Sequence, residues 1–143
     1  NFMGQRIISD PLRVARKTIT FDSGTGTGAI GAVPLFTVTG EVLVSKIVPY
    51  ITTNLAGSSA TIALGVTGGV ADFIAATTAT DMDADEFWVD TAPDANGVAI
   101  PAALQDILIT DNIIGTVATA AISGGVVDIT VFWRKISVDG NVA

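Results

Sequence analysis

The sequence predicts an all-β fold: an antiparallel β-sandwich or jelly roll of about eight strands, preceded by an extended N-terminal arm. Three observations predict it. Apolar and polar residues alternate with a period of two in short segments, many of them rich in Val, Ile and Thr. Turn signals built on Gly, Ser, Asn and Pro separate these segments at short spacing. Helix-period patterns are nearly absent, confined to a turn or two at residues 11–17 and 102–106.

Residues 17–21 (KTITF) open the sheet, setting Thr18 and Thr20 opposite Ile19 and Phe21. Residues 33–39 (VPLFTVT) follow a glycine-rich connection. Residues 41–55 (EVLVSKIVPYITTNL) make a long strand that Pro49 bends or places at an edge, because proline donates no ladder hydrogen bond. In residues 60–66 (ATIALGV), Ile62, Leu64 and Val66 share one face, as a half-buried strand requires. Thr67-Gly68-Gly69 turns into a strand at 70–76, and Phe87-Trp88-Val89 re-enters the core as another. Trp88 and Trp133 therefore belong in the core or at a subunit interface.

Strands at 106–110 and 115–122 come next. The clearest hairpin signal is Ser123-Gly124-Gly125, joining 116–122 to 126–136 through glycines that accept positive φ. Its second arm points Val127, Ile129, Val131 and Trp133 one way and Asp128, Thr130 and Arg134 the other.

A chain of 143 residues fits one domain. We divide it into a basic arm, residues 1–16, and a β-sandwich, residues 17–143. Mean hydropathy is high at +0.59, yet no run of about 18 apolar residues exists to cross a bilayer, so no membrane partner is expected. The apolar surplus instead provides surface to bury against other subunits. With neither cysteine nor histidine, the chain has no disulfide, no thiolate or imidazole metal site and no Ser-His or Cys-His nucleophile. No cofactor is expected.

Charge is divided unevenly. Residues 1–17 carry Arg6, Arg13, Arg16 and Lys17 against Asp10, while the other 126 carry Lys46, Arg134 and Lys135 against thirteen acids. No basic residue lies between Lys46 and Arg134, so the body lacks the cations that nucleic-acid binding needs. The basic start suits an acidic neighbour, including a second copy of this body, and Arg134, at or beyond the end of the last strand, is placed to do the same. The first residue is Asn1 and Met3 follows, so the natural start is expected elsewhere; the start also lacks the apolar stretch of a signal peptide.

Three motifs invite chemistry. Asp22-Ser23-Gly24-Thr25 after a short apolar strand matches the catalytic turn of an aspartic protease, with Ile113-Ile114-Gly115 imitating its apolar support. A retroviral-type enzyme would pair Asp22 with its copy across a two-fold axis. The ITF strand before it is short, however, and Gly24, Gly26, Gly28 and Gly31 replace the rigid strand such enzymes need after the turn. The second motif, residues 26–31 (GTGAIG), fits a phosphate-binding glycine loop, but a strand follows where a helix is needed. The glycines read as a flexible connection, with Gly26, Thr27 and Gly28 as contact candidates.

The third motif is Asp81, Asp83 and Asp85, spaced like the start of a calcium loop, with Asp90 nearby. Glu86 stands where a sharp-turning glycine belongs and Ala92 where a bidentate glutamate belongs, which excludes an EF-hand. An irregular calcium site stays open beside the reading of a solvated acidic loop.

Taken together, GTGTGAIGAVPLFTVTGEVLV, NLAGSSATIALGVTG, IAATTATDMDADEFWVDTAPD and ISGGVVDITVFWRKISVDGNV resemble a family of small virion structural proteins of tailed bacteriophages. The resemblance spans residues 17–142 and rests on the order of several blocks. It implies a non-enzymatic virion protein with no catalytic residue, and the family does not keep an Asp at the place of Asp22. For such a protein we expect capsid decoration (cement) or a head-auxiliary role, as a homo-oligomer, a trimer by preference, against the major capsid protein or another virion protein on the head surface. A fibre or receptor-binding module is the alternative. The expected interface comprises Arg6, Arg13, Arg16, Lys17, Gly26, Thr27, Gly28, Trp88 and Arg134.

Overall fold

The computed structural model describes residues 11–143. Two antiparallel sheets face each other. In the first, β1 (Arg13–Thr20), β11 (Gly124–Lys135) and β4 (Val42–Ala56) run side by side, and β7 (Glu86–Phe87) and β8 (Asp94–Ala95) continue beyond β4. β9 (Gln105–Ile109) also pairs with β4, at the other end of its length. The second sheet has the order β2 (Gly31–Phe36), β10 (Ile113–Ala118), β5 (Thr61–Val66), β6 (Gly69–Thr78). β3 (Val38–Thr39) pairs with β12 (Asn141–Val142) and ties down the C-terminus.

The fold is therefore the expected all-β sandwich, with twelve strands among the described residues in place of about eight. β8 and β12, two residues each, show no period in the sequence; β3 is split off from the strand expected at 33–39, and β7 stands for the one expected at 87–89.

Alternation sets the core. Val127, Ile129, Val131 and Trp133 of β11 are buried, while Arg134 is exposed. Across the sandwich Ile62, Leu64 and Val66 of β5 are buried as well, but so are Ala63 and Gly65, so β5 is covered on both faces where a half-buried strand was expected. Residues that alternate in this way give each sheet one dry face, and the two dry faces make the common core.

Local signals were overridden at several points. The turn expected at residues 11–17 is extended: β1 begins at Arg13, and Arg13–Arg16, expected in the arm, pair with Trp133–Thr130 of β11. At 102–106 there is a single 3-10 turn, Ala102–Leu104, before β9 starts. Pro49 lies in β4, a central strand, opposite Ile129, at a level where the other side of β4 has no paired strand. Its carbonyl accepts from the Trp88 N–H on the β7 side, so its missing donor faces the gap between β9, which pairs up to Lys46, and β7, which begins pairing at Tyr50.

The expected glycine hairpin is also absent. β10 and β11 lie in different sheets, and residues 119–123 cross between them, with Thr119 at φ 74° and Ile122 fully buried at the crossing. Gly125 takes a φ of 108° and serves close packing. A Cβ on Gly125 would lie 2.6 Å from the Leu55 Cα, at a bulge where β11 meets β4.

Candidate interaction surface

The loop between β1 and β2 is a closed structure. Asp22 N–H donates to the Thr27 carbonyl (2.8 Å), and both Thr27 N–H and Ala29 N–H donate to the Gly24 carbonyl (2.9 Å each). The Asp22 carboxylate accepts from Gly24 N–H (2.9 Å) and from the Thr27 hydroxyl (2.5 Å). This is an aspartate serving its own turn. The loop is also pinned to the sheet crossing: Ser23 N–H donates to the Ile122 carbonyl and Ile122 N–H donates to the Gly28 carbonyl. The flexible connection expected here is thus a fastened one.

These contacts assign Asp22. The Thr27 hydroxyl first, and the Gly24 N–H second, hold its carboxyl below the usual carboxylate range. Ile113-Ile114-Gly115, expected to support the turn, lies within β10, where Ile113 pairs with Phe36 and Val66; the residue behind the turn is Ile122. Asp22 has a lower pKa folded than unfolded, so its stabilisation is present above the unfolded value, about 3.9, and is lost as pH falls through the folded one. Asp22→Ala is expected to lower the melting temperature at pH 7, and that deficit should close on acidification below about pH 4. Parallel thermal melts across pH 2–7 check this; a deficit that stays constant would remove the carboxylate from the turn's energetics.

The other expected residues divide. Arg16 and Lys17 are exposed on β1, and Arg134 is exposed on β11. Arg13 is half-buried with its guanidinium 5.5 Å from the Trp133 ring centre, a cation–π contact that joins β1 to β11. Arg6 lies outside the described residues. Gly26 and Thr27 are half-buried and Gly28 is buried, so the glycine loop shows a partner Thr25 and the 63% exposed Ile30 instead.

Trp88 is 1% exposed and belongs to the core, not an interface. Its indole N–H donates to the Thr77 hydroxyl (2.9 Å), which in turn donates to the Ala75 carbonyl.

The acidic segment does not gather into a calcium site. Asp81 ends a 3-10 turn, Asp83 N–H donates to the Glu86 carboxylate, and the Asp85 carboxylate accepts from the Tyr50 hydroxyl at 3.2 Å. Among the described residues no three acidic side chains converge. Burial first, and Asp85 second, push the Tyr50 hydroxyl above its ordinary pKa.

Sequence reading missed the exposed apolar side chains Leu12, Val14 and Leu108. The first two lay in a segment read as arm and turn, and Leu108 alternates like any core residue. Only the sheet order shows that Val14 and Leu108 lie on opposite edges of the same sheet. Two surface clefts accompany them. One, of about 250 Å³, is lined by Lys17, residues 34–37, residues 112–114 and Ala143. Another, of about 210 Å³, includes Glu41, Leu108 and Ile136.

All six described cations sit on three adjacent strands: Arg13, Arg16 and Lys17 on β1, Lys46 on β4, and Arg134 and Lys135 on β11.

Comparison with protein-family models gives no match, and neither does comparison with curated proteins. Among solved structures, the chain is similar to a chain of the cyanophage Pam1 capsid asymmetric unit, with a TM-score of 0.51 and 16% identity, covering 94% of this chain and 91% of that one. At that identity the likeness is one of fold.

Proposed function

We propose that this chain is a non-enzymatic structural protein of a bacteriophage virion, a capsid decoration (cement) or head-auxiliary protein that coats the head through contacts between subunits. The observation that carries this reading is the shared fold with a chain of a phage capsid asymmetric unit, over nearly the whole length of both. Near-equal coverage makes the two chains similar in size, so the likeness is between whole domains.

Surface chemistry supports the reading. The chain keeps exposed apolar side chains such as Leu108 and Ile30 and has a net charge of −7, which suits burial against neighbours. The carboxylate that most resembled a catalyst, Asp22, is occupied by its own turn. The partners proposed are further copies, as a homotrimer, and the major capsid protein.

Copy number and position in purified particles test the proposal. Quantitative mass spectrometry is expected to find hundreds of copies per particle, and cryo-EM to place them on the head. Tens of copies confined to the tail would replace this reading with a fibre or receptor-binding module.

A further inference from the structure

The geometry points to a head-to-tail contact between copies of this chain, in which the β1 edge of one copy abuts the β8 and β9 edge of the next. Both edges are open. Among the described residues β1 pairs only with β11, β8 only with β7, and β9 only with β4. An uncovered strand of eight residues such as β1 is a template for another chain unless something occupies it.

The two edges carry opposite charge. β1 bears three cations and no acid, and two of them, Arg16 and Lys17, are exposed. The far edge bears Asp94 and Asp106 on β8 and β9, and no cation. Placing β1 against β1, or far edge against far edge, sets like charges together. Placing β1 against the far edge sets opposite charges together.

Register strengthens the match. One row across the sheet runs Thr18, Asp128, Tyr50, Phe87, Asp94. Another runs Val14, Phe132, Lys46, Gln105, which puts Asp106 one residue from the level of Val14. Arg16 and Lys17 lie between these two levels, so copies abutting without slip bring them between Asp94 and Asp106 of the neighbour.

Apolar surface follows the same order: Leu12 and Val14 are 46% and 54% exposed at the β1 edge, and Leu108 is 70% exposed on β9. A contact of this kind uses different surfaces on the two copies, so it repeats and closes into a ring when the rotation allows.

This contact deepens the coating role proposed above, but its test needs no virion. One variant, R16E/K17E, spoils the β1 edge. A second, D94N/D106N, spoils the far edge without making it basic, because a basic far edge would attract the reversed β1 edge; asparagine suits 106 because Asp106 has φ 56°, which Asn tolerates. Sedimentation of the purified wild-type chain is expected to show species larger than a monomer that dissociate in 1 M salt. Each variant alone is expected to associate about tenfold more weakly or worse.

Mixed one to one, the two variants should form a dimer and nothing larger. The intact β1 edge of the second variant meets the intact far edge of the first, and the spoiled edges cap both ends. A monomeric wild type at high concentration, wild-type association by either variant alone, or failure of the folded mixture to pair would each overturn the contact. Circular dichroism checks folding, and R16Q/K17Q is read identically if the reversal variant does not fold. Loss of head location with this pairing intact would overturn the coating role alone.

Discussion

Trp88→Ala is expected to destabilise the fold by about 3–5 kcal/mol, lowering the melting temperature by roughly 10 °C or more. The indole is 1% exposed between the two sheets. It shares its surroundings with Ile19, Val33, Leu64, Val127 and Ile129, where only about 10 Å³ is unfilled. Rungs of two sheets cannot collapse into a hole of indole size without losing their ladder bonds, so most of the cavity persists.

The indole N–H also has a role of its own. Thr77, itself 1% exposed, accepts from it. Trp88→Phe keeps much of the volume but loses this bond, for about 1–2 kcal/mol. Trp133→Phe is the comparison: Trp133 is also buried, yet its indole N–H has no hydrogen-bond partner among the described residues, so the smaller ring sacrifices no bond. Urea unfolding followed by circular dichroism measures all three, and equal costs for the two Trp→Phe changes would remove the Thr77 bond from the account.

Gly28→Ala is expected to cost about 2–4 kcal/mol. A Cβ there would meet the Ile122 carbonyl oxygen at 2.1 Å, and Gly28 has φ +136°. The clash is with backbone, so the loop must swing away from the sheet crossing and give up the Ser23–Ile122 and Ile122–Gly28 hydrogen bonds. Gly31→Ala isolates the strain from the clash: φ is +126° there, but a Cβ would have nothing within 4 Å. That change should cost about 1–2 kcal/mol. Similar costs at the two positions, measured by the same unfolding experiment, would show that the loop is not fastened to Ile122.

The two edges of the first sheet show how differently parts of the surface were legible. The cations of β1 stand out as charge in the sequence and were noted there, whereas Asp94 and Asp106 are single acids in separate segments that nothing in the sequence singles out. That they lie on opposite edges of one sheet was not visible, because four strands far apart in the chain stand between or beside them. The Asp22 motif shows the converse. Its residue types fit a catalytic turn, and only the hydrogen bonds to Gly24 and Thr27 reveal what the carboxylate does.

The sequence by itself determined the class of fold and the faces of its long strands, because a period of two is a local property that each strand carries whatever it pairs with. Alternation in β11 placed its buried residues correctly, whereas β5 is buried from Ile62 to Val66 on both faces. Only the tertiary structure decided which strands pair, since partners are chosen by burial and register across the whole chain. It sent β10 and β11 to opposite sheets despite the Ser123-Gly124-Gly125 signal between them. It also drew Arg13–Arg16 into a strand, because β11 offers an unpaired ladder on that side and a short segment gains more from joining it than from its own weak turn preference.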